Sequence, residues 1–175
     1  FGFGLFNSAF YEGDVLMVYA LLGFVLIPVC QLGTRTVLAL AVVLLLQPFE
    51  WYHLWQGLQN PTLKLADPAS WAYFGQAEAY LSKDSLLNTW VGNLTNGRTA
   101  VLLWTWETGR VGQTCALFLL GMLAGRHTLF TPDPARLRFW RHTLIAAALS
   151  FSLLYGLGMG LPHWIASEAI RRPLA

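Results

Sequence analysis

The stretch TLIAAALSFSLLYGLGMGL, residues 143–161, carries no charged side chain in 19 positions. A helix of about 20 mostly apolar residues spans the ~30 Å hydrocarbon core of a bilayer. VLMVYALLGFVLIPVC, residues 15–30, is a second uncharged run, and VLALAVVLLL, residues 37–46, belongs to a third. None of these runs alternates with a period of two, which excludes an outer-membrane β-barrel. The pattern predicts membrane-spanning helices.

The composition agrees with this interpretation. Of 175 residues, 55% are hydrophobic and only 11% are charged, whereas a soluble domain carries about 25% charged residues. The formal net charge is +2, the chain has two cysteines, and its mean hydropathy is +0.49. These values exclude a disordered chain, a disulfide scaffold and a nucleic-acid-binding protein.

The predicted fold is therefore all-α, a polytopic membrane helical bundle with about four transmembrane helices. A kink is expected at Pro28, because proline disrupts the preceding helical turn. Residues 56–101 are expected to form a long outer loop and residues 126–142 a cytoplasmic loop. We interpret residues 1–175 as one membrane domain, the middle portion of a larger multi-span protein. The four spans are placed at roughly 14–31, 36–55, 102–125 and 143–161.

The distribution of arginine predicts the orientation, since cytoplasmic loops carry an excess of Lys and Arg. Arg35 lies between the first two spans, and the 126–142 loop carries Arg126, Arg136, Arg138 and Arg141. Both loops are therefore expected in the cytoplasm, and the 56–101 loop and both chain ends outside. Seven of the eight tryptophans lie on this outer side, where indole rings prefer the headgroup level.

Two Asp-Pro pairs predict helix starts, because aspartate caps free amides and proline suits the first helical position. Asp67-Pro68 precedes apolar residues at helical spacing, which indicates an amphipathic helix lying at the interface within the outer loop. The second pair, Asp133-Pro134, is expected to begin the helix of the fourth span, with the arginine cluster on its first turns. The apolar positions of the interfacial helix are Trp71, Phe74, Ala77 and Leu81.

Polar groups at membrane depth are the candidate functional residues, since a charge in hydrocarbon costs at least ~2.5 kcal/mol. Asp14 lies at the outer end of the first span, and Glu50 and His53 lie three residues apart near the outer end of the second. These three are the catalytic candidates. Glu107 and Arg110, three apart in the third span, are substrate-binding candidates. A shared polar cavity that opens outward would explain why all five lie towards one side.

Each candidate has a structural alternative. Asp14 can cap a helix, Glu107 and Arg110 can pair on their own helix, and Glu50 and His53 can mark the membrane interface. Glu-x-x-His spacing also occurs in di-metal bundles, but these need a second copy and further carboxylates. The sequence therefore predicts no metal site, and no nucleophile–base pair can be assembled from it.

Two segments resemble a known family. GDVL at 13–16, with Tyr19-Ala20 and Gly23, is similar to a Gly-Asp-Ile-Leu…Tyr-Ala…Gly signature. LLGMLAGR at 119–126, followed by Leu129-Phe130, is similar to a Leu-Leu-Gly-Met-x-Leu-Gly-Arg…Leu-Phe segment. Both belong to the YeiB-type family of bacterial multi-pass membrane proteins, and this resemblance implies a bacterial inner-membrane location. The partners expected there are the lipid bilayer and the remaining transmembrane helices, with no nucleic acid.

The family resembles the transmembrane acyltransferases, so the resemblance implies acyl transfer from an acyl-CoA type donor to an envelope acceptor. Asp14, Tyr19 and Arg126 are the positions that match its motifs, and Tyr19 joins the substrate-binding candidates. No cofactor motif is evident, but an acyl-CoA donor would bring phosphates to the cytoplasmic loop. Many members carry a His before the first signature, where this chain has Phe6-Asn7-Ser8. The cofactor-binding candidates are Arg126, Arg136 and Arg138.

Two alternatives remain open from the sequence. The cytoplasmic arginines satisfy the positive-inside rule without any ligand. The protein can also be a transporter or another solute-handling membrane protein, in which intramembrane carboxylates serve as proton or cation sites.

Overall fold

The computed structural model describes residues 1–60, 62–63, 66–131 and 133–174, with the backbone alone at position 172. The described chain is 79% helical and contains no strand, which confirms the all-α fold class. The helices are α1 (Gly2–Phe10), α2 (Leu16–Gly23), α3 (Leu26–Val29), α4 (Thr34–Leu45), α5 (Pro48–Gln59), α6 (Ala69–Gly75), α7 (Ala77–Leu81), α8 (Leu86–Gly92), a π-helical segment (Asn93–Gly97), α9 (Arg98–Glu107), α10 (Arg110–Arg126), α11 (Pro134–Trp164), α12 (Glu168–Arg171) and a 3₁₀ turn (Arg172–Leu174).

The chain divides into two compact units. The first contains residues 1–47 and 66–119, and the second contains the described residues of 48–65 and 120–175.

Small residues allow close helix packing in the first unit. A Cβ atom at Gly4 in α1 would lie 2.6 Å from the backbone nitrogen of Met17 in α2. α6 packs along α9, and the small side chain of Ala100 in α9 is fully buried. The larger buried side chains of this unit include Met17, Val18, Val37, Val101 and Leu119.

The second unit buries much less of its chain. α5 packs against α12, and Gly57 lies so close to the carbonyl group of Ala169 that any side chain there would clash. α11 is 31 residues long and has no buried residue. A long helix with apolar side chains on every face is typical of a lipid-facing segment.

Two helical stretches are long and apolar enough to cross a membrane, namely Thr34–Gln59 with 26 residues, which consists of α4 and α5, and Pro134–Trp164 with 31. They contain the predicted spans 36–55 and 143–161. Leu16–Val29 is apolar but shorter, and residues 102–125 are divided between α9 and α10. The four-span arrangement and the interfacial helix therefore stay predictions.

The helix over the predicted span 14–31 is interrupted one turn before Pro28, the residue at which the sequence predicts a kink. α2 ends at Gly23, and α3, which contains Pro28, begins at Leu26. Proline has no N–H and its ring clashes with the carbonyl four residues earlier, which is that of Phe24. The Phe24 carbonyl accepts instead from the amide of Ile27 at 3.1 Å.

Two further breaks lie at residues with positive φ, Gln47 at 46° and Gly109 at 68°. Gln47 separates α4 from α5, and Gly109 lies between α9 and α10. The side-chain amide of Gln47 occupies the space that a Cβ atom at Gly109 would need. Glycine adopts this backbone conformation without a steric penalty, so both the local geometry and the neighbouring side chain favour it.

The prediction that Asp67 caps a helix is wrong. α6 begins at Ala69, and its cap is the Glu107 carboxylate, which accepts from the amides of Ala69 at 2.8 Å and Ser70 at 3.2 Å. A carboxylate near a helix N-terminus is favoured because it satisfies free amides and the helix dipole. By contrast, the predicted helix start at Asp133-Pro134 is confirmed, with Pro134 as the first residue of α11.

Candidate functional site

The turn between α1 and α2 holds the most buried carboxylate of the chain. Asp14 is only 7% exposed. Its Oδ1 atom accepts from the Asn7 side-chain amide at 2.8 Å and from the backbone amide of Leu16 at 3.3 Å. Its Oδ2 atom is buried and finds no hydrogen-bond partner among the described residues. One oxygen therefore fixes the start of α2, while the other keeps its capacity to accept a proton or a donor.

The π-helical segment packs against the end of α1 and the turn that follows it. Asn93 is 1% exposed, and its side-chain amide donates to the Ala9 carbonyl at the end of α1, at 3.0 Å. Gly97 packs on Glu12, where a Cβ atom would lie 3.1 Å from the Glu12 carbonyl oxygen. Single-turn π-helical segments are frequent at functional sites. Here the segment brings Asn93 against Ala9 in the last turn of α1, and Gly97 against Glu12 in the turn that follows.

Tyr80 extends the polar region from α7. Its ring packs against Gly92 at the end of α8. Burial raises the pKa of the Tyr80 phenol above its ordinary value of 10.0; the charge of Glu12 raises it further, and the Asn96 side chain opposes the rise. The phenol is therefore neutral at physiological pH and offers one hydroxyl donor.

We call Glu12, Asp14, Tyr80 and Asn93 the polar cluster. The Glu12 Oε2 and Asn93 Oδ1 atoms join Asp14 Oδ2 as buried oxygens without a hydrogen-bond partner in the described chain. An unsatisfied buried polar group costs about 1–3 kcal/mol, so these three oxygens of the polar cluster, which can only accept, are an unusual concentration. Chemically, a set of carboxylate and amide oxygens suits a proton, a cation or a hydroxyl donor.

An open groove of about 510 Å³ lies on the π-helical segment and the start of α9. Arg98 contributes its charged side chain to the groove, and the Nε atom is buried without a hydrogen-bond partner in the part of the chain described. The other residues lining the groove include Tyr73, Leu94, Thr95, Thr99 and Leu102.

The three predicted substrate-binding residues have different surroundings in the structure, and their role in binding stays a prediction. Tyr19 is 41% exposed on α2. Glu107 caps α6, and the Arg110 guanidinium lies 4.3 Å from the centre of the Trp104 ring, in a cation–π geometry. An ion pair between Glu107 and Arg110 is not recorded among the described residues.

The catalytic candidates fall in different units. Asp14 belongs to the first unit, whereas Glu50 and His53 belong to the second. Glu50 lies in the first turn of α5, and the exposed ring of His53 lies 6.0 Å from that of Tyr52. The hypothesis of one cavity shared by all of them stays a prediction.

The arginines of the predicted cytoplasmic loop lie in the second unit, and Arg136 has a structural role there. The Arg136 guanidinium donates to the hydroxyls of Thr128 at 2.8 Å and Thr131 at 2.9 Å, and lies 4.0 Å from Asp133. Arg136 therefore holds the turn that leads into α11. Arg126 ends α10, and Arg138 is exposed on the first turns of α11.

No group of three or more His, Cys, Asp or Glu side chains suited to a metal ion occurs among the described residues. The residues of the polar cluster are carboxylate, amide and phenol groups drawn from three elements. Of these, the sequence pattern identified Asp14 alone. The charge of Glu12, two residues before Asp14, was the one local sequence signal for the other members of the cluster. The contact between Asn93 and Ala9 spans 84 positions and has no local signature in the sequence.

Comparison of the chain with protein-family models, curated proteins and solved structures gave no match.

Proposed function

We propose that the chain is part of a multi-pass protein of the bacterial inner membrane, with the four spans and the orientation given above. The main support is α11, whose apolar side chains are exposed along the whole helix; Leu149, Phe151 and Leu153 are each at least 65% exposed. Contiguous apolar surface of this size on a water-soluble protein would cause aggregation. In a bilayer the same surface is solvated by lipid chains, and every backbone group of the helix is satisfied internally.

Within that protein we propose acyl transfer from an acyl-CoA type donor to a hydroxylated envelope acceptor, with Asp14 as the proton acceptor and the thioester arm of the donor extending to it from the cytoplasmic face. This proposal rests on one observation, namely that the two oxygens of the Asp14 carboxylate have different surroundings. Oδ1 is fixed by Asn7 and Leu16, and Oδ2 has no partner in the described chain. A carboxylate oriented by one oxygen and unused at the other has the arrangement required of a general base.

The proposed step balances as follows. The acceptor hydroxyl gives its proton to Asp14 Oδ2 as its oxygen bonds to the thioester carbonyl carbon. The carbon–sulfur bond then breaks, and the thiolate that leaves takes up the proton. The similarity of residues 13–23 and 119–130 to the YeiB-type motifs supports acyl transfer as the reaction class. Asn93 donates to the Ala9 carbonyl at the end of α1, and Tyr80 interacts electrostatically with Glu12. We assign these two side chains the role of orienting the acceptor through hydrogen bonds.

The test uses the full-length protein in membranes, with acetyl-CoA labelled in the acetyl group and an envelope extract as acceptor. Wild type is expected to label an acceptor, and Asp14→Asn is expected to reduce the rate by 10²–10⁴-fold, the usual contribution of a general base. The matched control is Asp84→Asn, which makes the same change on an exposed aspartate in the loop between α7 and α8. Unchanged transfer in Asp14→Asn would reject the proposal.

A second candidate function is transport of a proton or cation, and the three unsatisfied oxygens of Glu12, Asp14 and Asn93 favour it. Buried carboxylates in membrane proteins commonly mark proton relays and ion paths. Purified protein in liposomes would then move protons or Na⁺ down an imposed gradient, and Asp14→Asn would abolish the flux. Acyl labelling without flux supports the first candidate, and flux without labelling supports the second.

A further inference from the structure

We propose that the groove on the π-helical segment binds a phosphoglycerol group, with Arg98 as the residue that recognises the phosphate. The groove's volume of about 510 Å³ falls within the ~300–1,000 Å³ range of small-molecule sites. This inference concerns a binding site separate from the acyl-transfer chemistry at Asp14 and does not depend on it.

Arg98 determines the charge of the ligand. A guanidinium has five N–H donors and no acceptor, and its planar fork matches the oxygens of a phosphate. The Arg98 Nε atom is buried at the groove without a hydrogen-bond partner among the described residues. An anionic ligand at the guanidinium would offset the cost of desolvating this charged group, whereas a neutral or cationic ligand would not.

The threonines that line the groove determine which polar groups the ligand carries in addition to its phosphate. Thr95 donates its hydroxyl proton to the Val91 carbonyl at 2.6 Å, and Thr99 donates to the Thr95 carbonyl at 2.8 Å. Each hydroxyl proton is therefore committed, and the hydroxyl oxygens retain acceptor capacity only. Their complement is a ligand that carries hydroxyl donors beside its phosphate, as glycerol phosphate does.

The apolar part of the lining and the surrounding charges complete the argument. Leu94 and Leu102 also line the groove, and they provide contact for the carbon atoms that join a headgroup to its acyl chains. Glu12 packs on Gly97, the residue before Arg98, and its charge would oppose an anion. Removing that charge should therefore strengthen the binding of an anion at Arg98 and leave anion contacts at distant arginines unchanged.

Phosphoglycerol occurs in an anionic lipid headgroup and as a free small molecule, and the experiment separates these sources. Purified full-length protein in neutral detergent is titrated with short-chain phosphatidylglycerol, with short-chain phosphatidylcholine and with glycerol 3-phosphate, and binding is measured by calorimetry. Phosphatidylglycerol binding alone assigns the site to a lipid, and glycerol 3-phosphate binding assigns it to the free compound. Equal binding of phosphatidylcholine and phosphatidylglycerol, or binding of no probe, overturns the proposal.

Variants locate the binding on the groove. Arg98→Gln is expected to weaken binding at least about tenfold, the loss of one charge-assisted hydrogen bond. Glu12→Gln is expected to tighten it, and Arg35→Gln, at an exposed position in the first turn of α4, is expected to leave it unchanged. Arg98→Lys keeps the charge without the fork and gives an intermediate loss, which preserves the test if Arg98→Gln fails to fold. Binding that is indifferent to both Arg98 variants rejects the site.

Discussion

The two units of this chain differ in the kinds of side chain that they bury. Every buried polar or charged side chain recorded in the described chain lies in the first unit, at Ser8, Asp14, Ser70, Asn93 and Thr105. The 31-residue α11 of the second unit buries nothing. Polar groups are retained inside protein only where other groups satisfy or use them, whereas an exposed apolar helix needs an apolar solvent. We therefore expect the functional site in the first unit and lipid contact along α11.

The strongest test of this difference places a charge in the middle of α11. Leu153→Asp is expected to cost about 2.5–3.5 kcal/mol of insertion free energy, because the carboxylate enters hydrocarbon. In water, a substitution at an exposed position stays within about ±0.5 kcal/mol. The measurement is the fraction of full-length protein that resists carbonate extraction from membranes.

Leu137→Asp is the control for that experiment. Leu137 is 64% exposed, close to the 65% of Leu153, but it lies in the predicted cytoplasmic loop, outside residues 143–161. If both variants leave the membrane-resistant fraction unchanged, α11 is not surrounded by lipid.

The next effect concerns helix packing in the first unit. Gly4→Ala is expected to destabilise the protein by about 1–3 kcal/mol, as overpacking does, because the new Cβ atom meets the backbone of Met17 rather than a movable side chain. Gly156→Ala in α11, where nothing lies within 4 Å, is the matched control and should not destabilise. Thermal unfolding of the purified protein in detergent measures both, and equal losses would contradict the packing described.

A smaller effect is expected at the start of α6. Glu107→Gln removes the charged cap from Ala69 and Ser70 and should cost about 0.5–2 kcal/mol. Hydrogen exchange of these two amides is expected to accelerate. Glu78→Gln, an exposed change in the first turn of α7, should leave their exchange as it is. Unaltered exchange in Glu107→Gln would mean that another group caps the helix.

The smallest effect is the pH dependence that Tyr80 contributes. Its pKa is raised in the folded protein by burial, so the unfolded chain loses the phenolic proton at lower pH than the folded chain. The contribution to stability is complete below the unfolded value of 10.0 and decreases as the pH rises through the folded value. Tyr80→Phe should remove this alkaline decrease in unfolding experiments, and a decrease of the same size in the variant would refute its assignment to Tyr80.

Local sequence signals were sufficient to predict α11 of the second unit. The uncharged run 143–161 and the Asp133-Pro134 pair predicted α11, since an isolated apolar helix depends on its own sequence alone. α5 likewise begins at a proline, Pro48, which suits the first position of a helix.

The first unit depends on contacts distant in sequence. Asp67-Pro68 failed as a cap because Glu107, 38 positions from Ala69, supplies the carboxylate instead. Asp14 was identified from its position in an apolar segment, but its partner Asn7 and Asn93, which bonds to Ala9, were not. Side chains that cap a carbonyl or fix a carboxylate across the fold have no periodicity in the sequence, so only the structure reveals them.

The contact between Gln47 and Gly109 has an evolutionary consequence. Any side chain at position 109 would enter the space of the Gln47 amide, and the positive φ there disfavours any residue other than glycine. Homologous chains that lose the glycine should therefore carry a small residue at position 47. The two positions are expected to covary although 62 residues separate them along the chain.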